Sequence, residues 1–424
     1  MKVFLRTFGC RANHYDTEAV RNLIESNGHS IVSAVDEADI ALFNSCAVTS
    51  DAEAELRKVV RRAAKDRPEL RSVVMGCAAA LDDERPMQLS IRGLPSVERV
   101  LGGADLTAIA EALDLSHADS RILTRSQSGT RALLRIQDGC DEHCTFCATT
   151  MARGANRSRP ADDIVREAIA LSEQHREIVI TGIHIGTYGR DIDSTLGHLM
   201  ARLVREVGDT RFRLTSIEAT EIDPLLSELI SDPASDLAPN IHAPLQSGSD
   251  RVLRRMGRHW YTAASYASSI DALAKSCDVF GLGADIITGF PGETDDDHAA
   301  TLSLVEHLPF TYLHVFPFSL RPGTPAERLP NRVSPTVANE RARALRLLGD
   351  RKAAAYAASR IGGTADVIAI GPPRDGGREG LTGDYLTVRI PSLSVARGER
   401  FLARLDGSAT ALEAARDVPA HVGV

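Results

Sequence analysis

Short apolar runs alternate with amphipathic helical stretches along most of the chain, and a polypeptide patterned this way has few folds open to it. Val3-Phe4-Leu5 reads as a strand and residues 17–27 as an amphipathic helix stopped by Gly28. Ile40-Ala41-Leu42-Phe43 is a second strand, Ser50-Asp51 opens a helix running to Lys65, and Val73-Val74-Met75 is a third strand. Such strand–helix–strand repetition forces parallel pairing, because each helix carries the chain back to begin the next strand in the same direction. Residues 1–115 are therefore expected to form a doubly wound parallel sheet. A polar stretch at 116–130 reads as a linker, after which the alternation restarts with longer units. Apolar runs at 133–136, 178–180, 212–217, 241–245, 282–287 and 312–316 are separated by helical patterns such as 163–174 and 297–307. Six βα units over residues 125–358 predict a partial (β/α)6 barrel, closed on its outside by a helix at 341–358. From 360 to 424 the texture changes to short β-like pieces at 365–370, 385–390 and 401–405. Gly371-Pro372-Pro373 and Asp375-Gly376-Gly377 supply turns, which together fit a small β-barrel. The class is α/β with a carboxyl-terminal β domain.

Composition narrows the functional classes. With 424 residues, 43% hydrophobic, 25% charged and a formal charge of −8, the chain is neither disordered nor fibrous. No window approaches ~18 uninterrupted apolar residues, so no spanning helix and no membrane partner are expected. The opening Met1-Lys2-Val3-Phe4-Leu5-Arg6 has too short an apolar run for a signal peptide. The expectation is a cytoplasmic protein whose thiols are reduced or bound to metal. Seven cysteines cannot all be paired in disulfides.

Those cysteines divide by position. Cys140, Cys144 and Cys147 fall within eight residues, directly after the first strand of the central domain. Three thiolates this close can wrap one inorganic centre without filling four positions. A structural zinc site prefers four ligands, whereas a [4Fe–4S] cube held by three cysteines keeps one iron open to a substrate or cofactor. Cys10, Cys46 and Cys77 are dispersed, 36 and then 31 residues apart, but each follows the end of an expected strand. In a parallel sheet those ends lie along one edge, where open α/β sheets place ligands. The competing reading is three small buried residues, a common fate of free cysteine. Cys277 lies in a helical pattern without partners and reads as packing.

Taken together, these residues resemble the methylthiotransferase family of radical S-adenosylmethionine (SAM) enzymes over nearly the whole chain. The resemblance rests on Thr7-Phe8-Gly9-Cys10 with Asn13, Asn44-Ser45-Cys46-Ala47-Val48-Thr49, Gly76-Cys77-Ala78, and the Cys140/Cys144/Cys147 motif with Phe146. It continues through Ala152-Arg153-Gly154, Ser158-Arg159-Pro160, Ile180-Thr181-Gly182, Pro244-Leu245-Gln246-Ser247-Gly248-Ser249 and Asp285-Ile286-Ile287-Thr288-Gly289-Phe290-Pro291-Gly292-Glu293-Thr294. The resemblance implies two [4Fe–4S] clusters, one on each cysteine triplet, and SAM as cofactor. It implies that the central domain is a radical SAM barrel and the last domain an RNA-binding TRAM-like module, to which Gly383-Asp384-Tyr385 is similar. The family's chemistry would have a reduced cluster cleave SAM to a 5′-deoxyadenosyl radical, with sulfur delivered from the amino-terminal cluster. An electron donor such as flavodoxin or ferredoxin and a sulfur source are implied partners. Thr150 stands where relatives usually carry proline, a change of loop stiffness that removes no ligand.

Within the family, Thr181-Gly182-Ile183-His184-Ile185-Gly186, Leu214-Thr215-Ser216-Ile217-Glu218-Ala219-Thr220-Glu221-Ile222 and Tyr312-Leu313-His314-Val315-Phe316-Pro317-Phe318-Ser319 most resemble the branch acting on N6-threonylcarbamoyladenosine at position 37 of tRNA. The resemblance implies replacement of a C2 C–H by C–SCH3. No side chain can do that by acid–base means, so no catalytic acid or base is assigned and the cofactors carry the chemistry. Thr181, Gly182, Ser216, Glu218, Gln246 and Ser247 end barrel strands and are the candidate SAM contacts, while His184, His242 and His314 are candidate substrate contacts. Candidate tRNA contacts are Arg57, Lys58, Arg61 and Arg62 on one helix and Arg251, Arg254 and Arg255 on another. From residue 360 onward eight Arg balance eight Asp plus Glu, a weak charge for a domain that grips RNA. Alternative targets within the family are isopentenyladenosine in tRNA and an aspartate of a ribosomal protein. An alternative of another class is a non-catalytic iron–sulfur electron carrier or RNA-binding sensor.

Overall fold

The structure, a computed structural model, describes residues 1–47, 50–82, 90–116 and 127–416. Most of the linker and the Val48-Thr49 part of the second motif lie outside the described residues. The first unit runs β1 (Lys2–Thr7), α1 (Arg11–Ser26), β2 (Ser30–Val32), β3 (Ile40–Ser45), α2 (Ser50–Asp66), β4 (Arg71–Gly76), α3 (Cys77–Ala80), β5 (Val97–Gly102) and α4 (Leu106–Ala112). Its five strands pair in parallel in the order β2-β1-β3-β4-β5. Successive residues of β3 point to opposite faces. Ala41 and Phe43 pack with Leu56 and Val60 of α2, whereas Ile40 and Leu42 pack with Val20 and Leu23 of α1 and Ile109 of α4. Helices therefore bury both faces.

The central unit runs β6 (Ala132–Arg135), β7 (Gln137–Asp138), α5 (Thr149–Arg153), β8 (Arg157–Ser158), α6 (Ala161–Ser172), β9 (Glu177–Thr181), α7 (Leu196–Glu206), β10 (Arg211–Leu214) and α8 (Pro224–Ser231). It continues with β11 (Asn240–His242), α9 (Asp250–Arg255), α10 (Ala263–Ser276), β12 (Gly281–Thr288), α11 (Asp295–His307), β13 (Tyr312–Pro317) and α12 (Pro335–Arg360). Two parallel sheets, β6-β9-β10 and β11-β12-β13, are joined by the single parallel bridges Phe212↔Leu237 and Ser216↔His242. The result is one curved row of six parallel strands. Among the described residues no pairing joins β6 to β13, so the row stays open there. On that side α1 of the first unit docks: Tyr15 donates to Glu167 of α6 at 3.1 Å, and Asp16 pairs with Arg135 of β6. No helix among the described residues is long and apolar enough to cross a membrane.

The last strands, β14 (Thr364–Arg374), β15 (Gly377–Thr382), β16 (Thr387–Ile390), β17 (Arg400–Ser408) and β18 (Ala411–Arg416), close into a barrel around Val367, Ala369, Ile390 and Leu405. Two arginines of β10 fasten it to the central unit. Arg211 donates to the carbonyls of Asp366 at 2.7 Å and Leu381 at 3.1 Å, and Arg213 to those of Thr382 and Gly383 at 2.9 Å each. Behind them Glu177 is fully buried and accepts from both guanidinium groups. Burial works against its charge, but Arg211, Arg213 and Arg131 hold its carboxyl well below the usual range.

Local differences from the sequence reading have physical causes. Helix α1 starts at Arg11 rather than at 17, with Cys10 as its amino-terminal cap residue, because tertiary contacts of Asn13 and Asp16 hold a first turn that hydrophobic periodicity does not mark. Strands β2 and β5 are unforeseen: β2 is a three-residue edge strand and β5 has an exposed, charged outer edge. Strands β15 and β18 carry glycine and alanine where strand propensity is low, and barrel closure decides them. Cys277 caps the carboxyl end of α10, half-buried against the central core.

Candidate active site

Cys10, Cys46 and Cys77 stand just past the carboxyl ends of β1, β3 and β4. The strand order changes direction between β1 and β3, and there an open parallel sheet leaves a crevice for ligands. Cys10 is exposed, while Cys46 and Cys77 are buried. Gly9, at φ +99°, lets the chain pass Cys46: a Cβ at this position would run into the Cys46 Sγ. Asn13 ties the three loops together. Its Nδ2 donates to the carbonyls of Phe8 at 3.0 Å and Ser45 at 2.7 Å, and its Oδ1 lies 3.9 Å from Cys10 Sγ and 3.7 Å from Cys77 Sγ. Burial pushes the Cys77 thiol up to about 11, opposed by Arg153, whose Nε donates to Cys77 Sγ at 3.2 Å. Arg153 also donates to Asn13 Oδ1 at 2.8 Å, Asp16 Oδ2 at 2.7 Å and Asp138 Oδ1 at 3.0 Å. This one buried guanidinium, six residues past Cys147, fastens the dispersed cysteines to the clustered ones.

The loop of Cys140, Cys144 and Cys147 follows β7. Gly139, at φ +73°, packs so tightly on Ala155 that a Cβ would collide with that carbonyl. The Cys140 amide donates to the Gly154 carbonyl at 3.0 Å, and the Thr149 hydroxyl contacts Cys147 Sγ at 3.1 Å. Cys140 Sγ lies 3.6 Å from His184 Nδ1, and His184 Nε2 lies 2.8 Å from Glu221 Oε2. Cys144 Sγ accepts from Arg258 at 3.5 Å, and burial pushes its thiol up to about 12 against that charge. Arg258 is itself buried, paired with Glu218 and stacked 4.7 Å over Trp260.

Two cavities meet at these loops. The smaller, about 180 Å³, is lined by Cys140, Cys144, Cys147, Glu218, Gln246 and Trp260 among others. Three buried polar atoms on those walls, Glu218 Oε2, Gln246 Oε1 and Trp260 Nε1, have no protein partner. Such atoms are costly unless a ligand serves them. Gln246 is also held at φ +62°, a strained backbone of the kind that clusters at ligand sites. The larger cavity, about 600 Å³, is lined by Cys10, Cys46 and Cys77 on one side and Thr181, Gly182, His242, Asp285, Tyr312 and His314 on the other. Thr149, Ile183 and Ser216 line both, so the cavities of the two triplets adjoin along a shared wall.

The donor set fits a polynuclear centre better than one ion. Sulfurs bound to a single zinc lie at most ~4.6 Å apart, twice the Zn–S distance. Neither triplet is gathered that closely: among the described residues the metal-capable group whose ligand atoms all lie within 4.8 Å is His242, Asp285 and His314.

Of the expected SAM contacts, Thr181, Gly182, Ser216, Glu218 and Gln246 lie on these walls. Ser247 does not. It is fully buried with its Oγ against Thr301 at 3.4 Å, accepting the Ser249 amide at 3.2 Å, and so builds the entry to α9. The basic stripes are thinner than their sequences suggest. Arg57 is bound by Glu53 at 2.9 Å, Arg62 lies 3.5 Å from Asp66, Arg251 pairs with Asp297, and Arg255 donates to the Pro291 carbonyl at 2.9 Å. Lys58, Arg61 and Arg254 are exposed and have no carboxylate partner among the described residues. Sequence reasoning missed the roles of Asn13, Arg153, Arg258, Trp260, Asp285 and Tyr385. Arg153 and Tyr385 sit inside motifs it quoted, but nothing in a linear pattern says that they reach a distant unit.

Comparison with known proteins follows this division. Residues 2–92 match the model of uncharacterized protein family UPF0004, and residues 134–305 match the radical SAM superfamily. The chain is 34% identical over 381 residues to the threonylcarbamoyladenosine tRNA methylthiotransferase of Bacillus subtilis, covering 86% of this chain and 84% of that one. It is 34% identical to the Thermotoga maritima protein of the same name, over 80% of each chain. It is also 33% identical to the tRNA-2-methylthio-N(6)-dimethylallyladenosine synthase of Sorangium cellulosum, over 95% of this chain and 87% of that one. Among solved structures, the radical S-adenosylmethionine methyltransferase TsrM of Kitasatospora setae superposes with a TM-score of 0.55 at 13% identity, covering 77% of each chain. That likeness concerns the fold alone.

Proposed function

The chain belongs to the radical SAM methylthiotransferases, and from that membership we propose that it converts N6-threonylcarbamoyladenosine in tRNA to its 2-methylthio derivative, with Cys140, Cys144 and Cys147 holding one [4Fe–4S] cluster and Cys10, Cys46 and Cys77 a second. The observation that carries this reading is the adjoining cavity space: each three-thiol site lines one of two cavities that share Thr149, Ile183 and Ser216. A non-catalytic electron carrier needs no such space and no unsatisfied polar atoms in it. When bound, the clusters and SAM supply the one-electron cleavage, hydrogen abstraction and sulfur delivery that side chains cannot.

The protein's own share is binding, orientation and exclusion of water. Glu218 Oε2 is an acceptor free to take hydrogen bonds from ligand hydroxyl or amino groups, with Arg258 holding its other oxygen in place. Gln246 Oε1 adds a second acceptor and Trp260 Nε1 a donor. Thr181, Gly182 and Ser216 line the space between the triplets, where SAM would sit; Ser247 is part of the scaffold and is not a contact. Gly182 has no room for a side chain, since a Cβ would come within 2.9 Å of the Gln137 carbonyl. His184, held between Cys140 and Glu221, orients the first cysteine of the loop. The carboxyl-terminal barrel would act as a TRAM-like module, with Lys58, Arg61 and Arg254 meeting the tRNA backbone. A flavodoxin- or ferredoxin-like reductant and a sulfur source complete the cycle.

Anaerobically reconstituted protein, given dithionite, SAM and a tRNA bearing N6-threonylcarbamoyladenosine, should yield a 2-methylthio nucleoside detectable by mass spectrometry. The same protein should leave dimethylallyladenosine in tRNA unmodified. Release of no 5′-deoxyadenosine from SAM would instead support the non-catalytic iron–sulfur reading.

A further inference from the structure

The larger cavity carries a feature that cluster and SAM binding leave unused. Its wall away from Cys46 is a stack of rings. Tyr312 and Tyr385 lie 5.0 Å apart at 31°, His242 stacks on Tyr312 at 5.6 Å, and His314 lies 5.1 Å from His242. Asp285 fixes the two imidazoles, its Oδ1 lying 3.0 Å from His242 Nε2 and 3.3 Å from His314 Nδ1. His242 Nδ1 meets the Tyr312 hydroxyl at 3.3 Å, which leaves His314 Nε2 without a protein partner among the described residues. Asp285 is held well below the usual carboxylate range; burial opposes this, and the hydrogen bonds from both histidines outweigh it.

Arg11 closes this wall. It follows Cys10 directly, lines the same cavity, and donates through Nη2 to the Tyr385 hydroxyl at 3.0 Å. Among the described residues it has no carboxylate partner, unlike Arg135, Arg153, Arg159, Arg213 and Arg258 nearby. Tyr385 reaches the cavity from the carboxyl-terminal barrel, in a left-handed backbone conformation at φ +72° that a tyrosine adopts only when its surroundings impose it. The faces of Tyr312 and Tyr385 are engaged by each other, by His242 and by Arg213, so the wall offers a base its ring edges and polar tips, and an unpaired guanidinium beside it is suited to bind a carboxylate in bidentate fashion. All three units of the chain meet at this point.

We propose that Arg11 is the specificity-determining residue that binds the carboxylate of the threonylcarbamoyl group, while Tyr312, His314 and Tyr385 hold the adenine and its ureido arm. This rests on the functional reading above and sharpens it. Dimethylallyladenosine has no group for Arg11 to bind and would leave that charge desolvated and unpaired, so the same interaction rejects it. His314 Nε2, its tautomer set by the Nδ1–Asp285 hydrogen bond, is the acceptor for the threonyl hydroxyl or a ureido N–H.

The test is a binding cycle on the reconstituted full chain, read by fluorescence anisotropy of anticodon stem-loops. One stem-loop carries N6-threonylcarbamoyladenosine, one its methyl ester, and one unmodified adenosine. Wild type should bind the acid at least ~10-fold more tightly than the ester, the increment expected of a charge-assisted hydrogen bond. In Arg11→Gln that ratio should fall to about one, with affinity for the unmodified stem-loop unchanged and the iron content as in wild type. His314→Ala should weaken acid and ester alike and keep the ratio between them. Equal wild-type affinity for acid and ester overturns the proposal, and so does an Arg11→Gln protein that keeps the ratio. Either result leaves the functional reading intact if wild type still methylthiolates the acid stem-loop; no turnover of that substrate overturns the functional reading itself. The ester comparison needs no variant, so a misfolded Arg11→Gln does not spare the proposal.

Discussion

Replacing Arg153 with glutamine is expected to loosen the amino-terminal unit and empty its cysteine triplet together. The guanidinium is buried and donates to Cys77 Sγ at 3.2 Å, Asn13 Oδ1 at 2.8 Å, Asp16 Oδ2 at 2.7 Å and Asp138 Oδ1 at 3.0 Å. Removing one partner of a buried ion pair typically costs ~3–5 kcal/mol, because the other charge stays buried. Here Asp16 keeps Arg135, and Asp138 is partly exposed with Arg135 and Arg157 nearby, which places the cost near the lower bound, about 3 kcal/mol. At an m-value of ~3 kcal/mol/M that is a drop of about 1 M in the urea midpoint. Asn13 would lose the donor that fixes its Oδ1 between Cys10 and Cys77, so reconstituted iron should fall from about eight toward about four per chain. Arg153→Lys keeps the charge but not the forked hydrogen-bonding geometry, and should fall between the two. A glutamine variant with an unchanged midpoint and full iron content would refute the view that one guanidinium joins the two cysteine sites.

Cys10→Ala should lose about half the iron, whereas Cys277→Ala, altering only a half-buried helix cap, should keep it. Glu177 has a depressed carboxyl, so its contribution to stability is fully present above the unfolded value of ~4.3 and is lost as pH falls toward the folded one. The wild-type urea midpoint should therefore drop more steeply below pH ~4 than that of Glu177→Gln, which starts lower at neutral pH because buried Arg213 loses its carboxylate partner and buried Arg211 keeps only Asp366. Charge reversal at Lys58, Arg61 or Arg254 should weaken tRNA binding regardless of the modified base and reduce its salt slope by roughly one for each phosphate no longer neutralised. The same change at Arg57 or Arg251, already engaged by Glu53 and Asp297, should alter the slope less.

Much of the architecture is legible along the chain because its signals are local. Strand-length apolar runs and the cysteines that follow them place Cys10, Cys46 and Cys77 at one sheet edge without knowledge of any tertiary pairing. The clustered cysteines are legible for the same reason. What the sequence does not reveal are partners far apart in the chain. Arg258 resembles one more member of a basic helix stripe, yet it lies buried between Glu218, Trp260 and Cys144. Ser247 stands beside Gln246 in one motif, but the left-handed turn at Gln246 sends the two side chains to different surroundings, one to the cavity wall and one to Thr301. Arg57, Arg251 and Arg255 carry the charge that a tRNA contact needs, and only their folded neighbours show that it is already engaged. Tyr385 belongs to the last domain by sequence and to the wall of the larger cavity by position.

The most direct test of the central claim is the modified-nucleoside profile of tRNA from a strain lacking this protein, measured by liquid chromatography and mass spectrometry. The 2-methylthio derivative of N6-threonylcarbamoyladenosine should vanish, its unthiolated precursor should accumulate, and any 2-methylthio derivative of dimethylallyladenosine should persist. Retention of the first with loss of the second would contradict that claim.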